Sequence, residues 1–404
     1  MPESVGRAKS VVEGSRVLTY KVGRVINTQP TKVRRYRRAN VWDELQRVHS
    51  RSLAHGGDTR DGNPRAAHPI ASGPMRITFS EDGRDFHRRG WAELVAADPA
   101  GTFFHTPGYL KLYWEEFGEQ PEHLLFAFAE EEDGTQVGAV AFERIDQTLR
   151  FLGGTEVTDY MGPVGAPQRQ EAVSKELWAA LVTRGDWQEA DLRGLAADNP
   201  WLGFLAEAAR EQGLVVEETE DQNGTAPFLP LPASWEGYLE ALPSKLRHEI
   251  KRKANKLEAE TGPFQIKTAT PDTLIPLLDR FVELHRMSEG PKGVFMQPGM
   301  EIFFRRLGEA FLPQGIFNLT FIEVGGELAA GTIGFTFAGT FSLYNSAFDR
   351  KWGNLAPGMV LVGEDIRLAL EAGCTGFDLL KGDYQYKYRF GAEPRLVRRL
   401  LITR

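Results

Sequence analysis

Cysteine is almost absent from the sequence: Cys374 is the only one in 404 residues. A single cysteine excludes an internal disulfide and any zinc site built from cysteines, and it argues against thiol redox chemistry. The eight histidines are scattered without the spacing of metal ligands. We therefore expect no metal site.

Long apolar runs are also missing from the sequence. No window reaches the roughly 18 uninterrupted apolar residues that a membrane-spanning helix needs, and the first residues lack the apolar core of a signal peptide. We therefore expect a cytoplasmic, globular protein without a membrane span. With 42% apolar residues, the chain can form one large core or, as we expect, two cores of ordinary size.

Positive charge is concentrated at the start of the sequence. Residues 1–74 hold 14 Lys and Arg against 6 Asp and Glu, a net charge of +8, whereas the remainder holds 34 against 49, a net charge of −15. Residues 1–74 are rich in Gly, Pro and charge, which predicts a disordered basic tail. Three interpretations stay open: a non-native extension before a true start at Met75, a loose electrostatic tether, or a nucleic-acid element.

From Met75 the sequence follows one pattern twice. In residues 75–228, strands flank an acidic Asp133-Gly134 turn and are followed by a third strand, a helix near 168–183, a strand, a helix and a closing strand. In residues 229–404, three strands with glycine turns precede a helix that ends at Gly373 and a short strand. This order predicts a mixed α+β fold of two tandem domains, each a mostly antiparallel twisted sheet flanked by helices.

The segment 235–260 connects the two predicted domains and is basic. Apolar residues at helical spacing predict one helix, and six Lys and Arg residues occupy its other faces. Three interpretations stay open: an ordinary solvated helix face, a rim that attracts phosphate groups of a substrate or cofactor, or a nucleic-acid contact, which the negative charge of the body disfavours.

A strand, a tight turn and a helix follow one another near residue 358. The N–H groups at the start of a helix are free to bind an anion, and the helix dipole favours negative charge there. Because Pro357 has no N–H, the predicted anion-binding amides are those of Gly358, Met359 and Val360. The alternative is an ordinary turn that opens a packed helix.

Six segments give the chain a family resemblance. It resembles the CelD-type acetyltransferases of the GNAT superfamily, which are similar to the Fem-type peptidyltransferases. The segments are FFHTPGYLKLYWEEFG, RFLGGTEVTDYMGPVG, LPSKLRHEIKRKANKLE, FVELHRMSEGPKGVF, YNSAFDRKWGNLAPGMVL and FDLLKGDYQYKYRFGAE, in that order between residues 103 and 392. The resemblance implies a GNAT-like fold in both halves. It also implies the transfer of an acyl group, with acetyl as the expected one, from acyl-CoA to an amine or hydroxyl of a carbohydrate or cell-envelope precursor.

The resemblance also implies roles for individual residues. Lys387 resembles the lysine that faces the reacting carbonyl in Fem-type enzymes. Independently of the resemblance, Asp349 and Asp383 lie at the ends of neighbouring predicted strands and are candidate bases or amine-orienting carboxylates, or else turn caps and ion-pair partners. Asp159 and Tyr160 are candidates for reaching the acceptor from the first half. Tyr344, Asn345 and Tyr386 bind substrate hydroxyls or fill an aromatic core.

The acyl donor remains a choice between two classes. Acetyl-CoA or another acyl-CoA is the expected co-substrate, although the segment Trp352–Gly358 departs from the usual Arg/Gln-x-x-Gly-x-Gly/Ala loop of GNAT enzymes. The alternatives are a Fem-like transferase that uses aminoacyl-tRNA and an inactive accessory protein of polysaccharide biosynthesis. The acidic body argues against tRNA and against specific nucleic-acid binding. The sequence leaves the oligomeric state open.

Overall fold

The computed structural model describes residues 75–288 and 291–404, so the predictions for residues 1–74 lie outside the described part. The α-helices are α1 (Trp91–Ala97), α2 (Pro107–Phe117), α3 (Gln170–Arg184), α4 (Pro200–Glu211), α5 (Trp235–Ala241), α6 (Ser244–Thr261), α7 (Leu274–Arg286), α8 (Pro291–Phe295), α9 (Pro298–Phe311) and α10 (Pro357–Glu371).

The strands alternate with these helices along the chain. They are β1 (Met75–Ser80), β2 (Leu124–Glu131), β3 (Gln136–Ile145), β4 (Thr148–Phe151), β5 (Val164–Gly165), β6 (Glu189–Ala196), β7 (Val215–Thr225), β8 (Phe228–Pro230), β9 (Gln265–Thr268), β10 (Phe317–Val324), β11 (Glu327–Phe337), β12 (Thr340–Phe348), β13 (Gly376–Asp378) and β14 (Leu396–Thr403).

The strands form two sheets of similar design. The first has the order β1-β2-β3-β4-β6-β14-β7, with β5 beside β3, and the second has the order β8-β13-β12-β11-β10-β9. Each sheet contains one parallel pair beside a run of antiparallel strands. The pair is β4 with β6 in the first sheet and β12 with β13 in the second, and a helix connects the two strands of each pair. Two mostly antiparallel sheets flanked by helices were predicted, and the prediction is confirmed.

One strand lies in the sheet of the other half. The short strand β8, which begins at the end of the predicted first half, pairs with β13 of the second sheet. The strand β14 returns from the second half and lies between β6 and β7, hydrogen-bonded to both. The predicted division at residue 228 therefore falls inside β8, and β14 crosses it in space.

The largest hydrophobic cluster contains residues of both halves. The ring of Phe103, just before α2, stacks on that of Phe335 in β11 with centroids 4.2 Å apart, and it meets the ring of Phe311 edge-on at 4.8 Å. Helices α3 and α4 cover the outer face of the first sheet, and α10 covers a face of the second. The expectation of two separate cores is therefore wrong, because aromatic packing joins the halves.

The basic segment is two helices. A single helix over residues 235–260 was predicted, but α5 ends at Ala241 and α6 begins at Ser244, with Pro243 between them. Proline lacks an N–H, and it disfavours helical backbone in the residue before it, so the chain turns at Leu242. No helix within the described ranges is long and apolar enough to cross a bilayer.

Candidate active site

The parallel pair β12 and β13 separates after three residue pairs. Ser342 is opposite Asp378 in the last pair, and β12 then continues to Phe348. The other chain turns away after β13: Leu380 has a positive φ of 58°, and the N–H of Leu379 donates to the carbonyl of Pro227 at 2.9 Å. The backbone of β12 beyond Ser342 therefore has no strand partner on this edge within the described residues.

The corresponding gap in the first sheet is filled by the chain itself. Strands β4 and β6 separate after Leu149 and Ala190. The N–H of Met161, in the loop that follows β4, donates to the carbonyl of Gly194 in β6 at 3.1 Å. A Cβ at Gly194 would lie 2.8 Å from the Met161 nitrogen, so glycine is required for this close approach. An open strand edge beside a parallel pair thus belongs to the second sheet.

The Lys387 ammonium lies where the chain turns away after β13. Its side chain is buried, and its ammonium donates to the carbonyls of Leu380 and Lys381 at 2.8 and 2.9 Å. Burial lowers the pKa of Lys387 to about 8, although the nearby carboxylates, Asp159 first among them, oppose the shift. An ammonium has three N–H donors, so one remains for a further acceptor.

Asp159 reaches the same place from the loop that follows β4. Burial raises its pKa to about 6, and the charges of Lys381 and Lys387 limit the rise. Asp159 and Lys387 interact electrostatically, but within the described chain they form no ion pair at 4.0 Å or less. The predicted candidates Asp159 and Lys387, which come from different halves, are thus brought within electrostatic range of each other without a direct ion pair.

A buried ionic cluster lies beside this pair. The hydroxyl of Tyr160 donates to Asp378 at 3.0 Å, and the Arg395 guanidinium contacts both groups. The guanidinium also lies over the rings of Tyr160 and Phe228, with centroid distances of 5.0 and 4.7 Å. Tyr160 is therefore held in place by the second half of the chain.

A second buried ion pair connects the halves. The Lys381 ammonium donates to Asp221 in β7 at 2.9 Å, and both side chains are almost completely buried. Asp221 also accepts the N–H of Gly194 at 3.1 Å. Because buried charges need partners, removing one member of this pair would leave the other unpaired. The loop after β13 is therefore fixed against the first sheet.

Two of the predicted substrate-binding residues lie at an irregularity in β12. Ile333 is opposite Asn345 while Gly334 is opposite Leu343, so Tyr344 is an extra residue in the strand. The hydroxyl of Tyr344 donates to the carbonyl of Val157 at 2.8 Å, and Asn345 bonds the buried His285 at 3.1 Å. Both side chains have protein partners, and Tyr344 supports the loop that carries Asp159.

The two other candidate carboxylates have structural partners. Asp349 accepts the N–H of Lys351 at 3.1 Å and contacts Arg280 at 3.4 Å, so it caps the short helix that follows β12. Asp383 is exposed and accepts the hydroxyl of Tyr388 at 2.6 Å. Asp349 and Asp383 are therefore engaged in structural contacts, and neither is our candidate for the base.

The start of α10 offers fewer free amides than predicted. The N–H groups of Met359 and Val360 both donate to the carbonyl of Ala356, at 3.0 and 3.3 Å. Gly358 is partly exposed, and a Cβ at that position would find Phe348 4.0 Å away as its nearest neighbour. Of the three predicted anion-binding amides, that of Gly358 alone lacks a hydrogen-bond partner among the described residues.

The last predicted substrate-binding residue, Tyr386, packs on the protein. Its ring stacks on Tyr384 with centroids 6.3 Å apart, and burial raises its pKa to about 12. It contacts the apolar cluster beneath α5 and α10. Tyr386 therefore fills the aromatic environment of the Lys387 loop, one of the two roles predicted for it.

A cavity of about 520 Å³ lies between the two sheets. The first half contributes Asp98, His105 and Tyr160 to its wall, and the second half contributes Asp378 and Arg395. Burial lowers the pKa of His105 to about 4, so this imidazole is neutral at pH 7. The cavity wall therefore includes all three members of the ionic cluster, Tyr160, Asp378 and Arg395, and has more carboxylates than cations.

One part of the chain matches a family model in the comparison with known proteins. Residues 244–388 match the acetyltransferase (GNAT) domain. No curated protein matches the sequence. The matched range contains the open edge of β12, the helix α10 and Lys387.

Solved structures share the fold of the larger part of the chain. FemX covers 76% of this chain and 94% of its own, at 10% identity and a TM-score of 0.55. A conserved protein of unknown function from Bacteroides thetaiotaomicron covers 81% of this chain and all of its own, at 14% identity and a TM-score of 0.53. These likenesses establish a fold in common with FemX.

Four charged residues at the site were not predicted as site residues. Asp378, Arg395, Lys381 and Asp221 are buried or nearly so, and no local spacing rule connects each of them to its partner. The only available signal was a charge inside an otherwise apolar segment, as in Phe377-Asp378-Leu379. Among the described residues, no group of three or more His, Cys, Asp or Glu side chains is arranged to hold a metal ion.

Proposed function

We propose that the protein transfers an acyl group from acyl-CoA to an amine or hydroxyl group of a small acceptor. The observation that supports this most is the buried ammonium of Lys387, which lies where the chain turns away after β13 and interacts electrostatically with Asp159 of the other half. Lys387 belongs to the range that matches the acetyltransferase domain.

The open edge of β12 suits the pantetheine arm of the donor. Unpaired backbone N–H and C=O groups on a strand edge bind an extended chain that carries amide groups, in the way an added strand does. Pantetheine contains two amides. We place it along β12 beyond Ser342, with its phosphates toward α10 and its thioester toward Lys387.

Asp159 and Lys387 divide the chemistry in this proposal. The acceptor nitrogen or oxygen attacks the thioester carbonyl, and the Asp159 carboxylate takes the proton that the acceptor loses. The remaining N–H of the Lys387 ammonium stabilises the negative charge on the carbonyl oxygen. The tetrahedral intermediate then collapses, which breaks the carbon–sulfur bond and releases the CoA thiolate.

The acceptor enters through the cavity between the sheets in this proposal. The cavity wall contains three carboxylates, those of Asp98, Asp198 and Asp378, and one guanidinium, which is already paired. The cavity therefore favours a neutral or cationic group such as an amine. The acceptor class, a carbohydrate or cell-envelope precursor, rests on the resemblance to CelD-type enzymes.

Transfer from aminoacyl-tRNA is the second candidate. The fold shared with FemX supports it. The net charge of −15 over residues 75–404 opposes it, because binding an RNA backbone requires positive surface. An accessory protein without activity is the third candidate, and the buried, pKa-shifted Lys387 and Asp159 speak against it.

A thermal-shift measurement tests the donor. We expect acetyl-CoA or a longer acyl-CoA at 100 times its Kd to stabilise the protein by about 2.7 kcal/mol, because a ligand that binds only the folded state adds its binding free energy. ATP at the same concentration is the control for nonspecific binding of a polyanion. Absence of stabilisation by acyl-CoAs of every length would contradict the proposal and favour the accessory or tRNA alternatives.

Replacing Lys387 by Ala should lower turnover at least about tenfold, because the oxyanion loses its charged donor. In the unmodified protein the rate should also fall above pH 8, where Lys387 loses its proton. The measurement is CoA release from acetyl-CoA with the best acceptor of an amine panel.

The matched control for that experiment is Lys267→Ala. Lys267 is an exposed lysine on β9, paired with Glu323. We expect this variant to keep the activity of the unmodified protein. Equal rates for the two alanine variants, with circular dichroism confirming that both are folded, would remove Lys387 from the mechanism.

A further inference from the structure

Helix α6 carries positive charge along one side. Lys245, Arg252, Lys253 and Lys256 are spaced at i, i+7, i+8 and i+11, which places them within one third of the circumference of an α-helix. Arg389 belongs to the loop that contains Lys387. Its guanidinium lies 3.2 Å from the carboxylate of Glu249, which is on the same side of the helix. We call these five cations the α6 stripe.

The α6 stripe lies between the two places that the donor must contact. At its far end the Lys256 ammonium donates to the carbonyl of Asn354 at 3.1 Å, a few residues before α10 begins. Near its middle, Glu249 and Arg389 connect it to the loop of Lys387. The helix α6 also packs along α10, with Ile250 against Gly363. The stripe therefore follows the route from the start of α10 to the reacting groups.

The positive charge of the stripe is not fully neutralised. Lys253 is 3.9 Å from Glu249 and Lys256 is 3.7 Å from Glu260, but Lys245 and Arg252 have no acidic partner within 4.0 Å among the described residues. Burial lowers the pKa of Lys253, and the charges of Arg389, Arg252 and Lys256 lower it further against the opposing effect of Glu249. The excess positive charge of the α6 stripe stands out on a protein body of net charge −15, and it attracts anions to this side of the helix.

We propose that the α6 stripe binds the phosphate groups of the acyl donor, in place of most of the helix-start amides that GNAT enzymes use. The inference rests on the proposed function. It follows from two findings: the amides of Met359 and Val360 are already bonded to Ala356, and the stripe supplies charged donors beside the same helix. A cation at the surface binds phosphate through charge and hydrogen bonds without needing a glycine-rich loop.

The experiment compares two neighbouring charge reversals, Arg252→Glu on the stripe and Lys251→Glu outside it. Successive helix residues point about 100° apart, so the two variants have the same change of charge on different sides of α6. The probes are acetyl-CoA, S-acetylpantetheine, which has no phosphate, and adenosine 3′,5′-bisphosphate, which has no acyl group. Binding of each is measured by titration calorimetry.

Arg252→Glu should weaken acetyl-CoA and the bisphosphate at least about fivefold and leave S-acetylpantetheine within about twofold, while Lys251→Glu leaves all three within about twofold. Equal affinities of the two variants for acetyl-CoA would overturn the assignment of the stripe and leave the proposed function intact. Failure of the unmodified protein to bind acetyl-CoA would overturn both. Tighter binding of unacylated tRNA than of acetyl-CoA, lost in Arg252→Glu, would assign the stripe to nucleic acid and so also overturn the inference.

Discussion

Replacing Asp159 by Asn should lower kcat at least about 100-fold, because general bases typically contribute that much or more. Asparagine keeps the size of the side chain but cannot accept a proton. The pH profile provides a second readout. Since the carboxylate must be ionised to act as a base and its pKa is raised to about 6, the rate of the unmodified protein should fall as the pH drops below 6. The residual activity of Asp159→Asn should lack this dependence.

Asp383→Asn is the matched control for this experiment. Asp383 is an exposed carboxylate in the same loop as Lys387, and the sequence made it, with Asp349, a candidate for the base. We expect its rate and its pH profile to stay close to those of the unmodified protein. An Asp159→Asn variant that keeps its acidic limb would show that another group takes the proton.

Replacing Asp365 by Asn should stabilise the protein, and more so as the pH rises. Asp365 lies on the inner side of α10, only 1% exposed, with the hydroxyl of Thr332 on β11 facing it. Within the described residues neither carboxyl oxygen has a hydrogen bond of normal geometry. Burial raises the pKa of this carboxyl to about 8. The folded protein therefore holds a proton there that the unfolded chain releases near pH 4.

The sign of the pH dependence follows from proton linkage. Between about pH 4 and 8 the folded state binds more protons at Asp365 than the unfolded state, so each unit of rising pH removes about 1.4 kcal/mol of stability. At pH 7 the accumulated loss is about 4 kcal/mol, a large part of the total stability of an ordinary domain. Asparagine avoids this loss, since it has no proton to release.

Urea unfolding at several pH values measures the effect. The free energy of unfolding of Asp365→Asn minus that of the unmodified protein should increase from pH 4 to 8 and then become constant. Glu309→Gln, which removes an exposed carboxylate on α9, is the control and should produce no such slope. A constant difference across this range would mean that Asp365 is ionised in the folded protein.

Local sequence patterns predicted the local structure well. The turn at Asp133-Gly134, the strands on either side of it and the end of α10 near Gly373 all depend on interactions between residues close in sequence. The break at Pro243 was also visible in the sequence, but the helical spacing after Leu246 led to the prediction of one continuous helix. Turns and helix ends can be predicted in this way because glycine and proline act through their own backbone conformations.

Tertiary partners were beyond such patterns. The apolar residues of Leu396–Thr403 are compatible with a strand in either sheet, and only the space between β6 and β7 decides which one. The same holds for charge. Asp349 and Asp383 looked like bases because they follow strands, yet their roles depend on Arg280 and Tyr388, which no spacing rule connects to them.

The return of β14 to the first sheet has a consequence for synthesis on the ribosome. The edges of β6 and β7 that β14 joins remain unpaired until the residues of β14 have been made, long after the rest of that sheet has emerged. Unpaired strand edges associate with other chains. The nascent first half therefore exposes two unpaired strand edges, and a chain truncated after β7 should aggregate during expression.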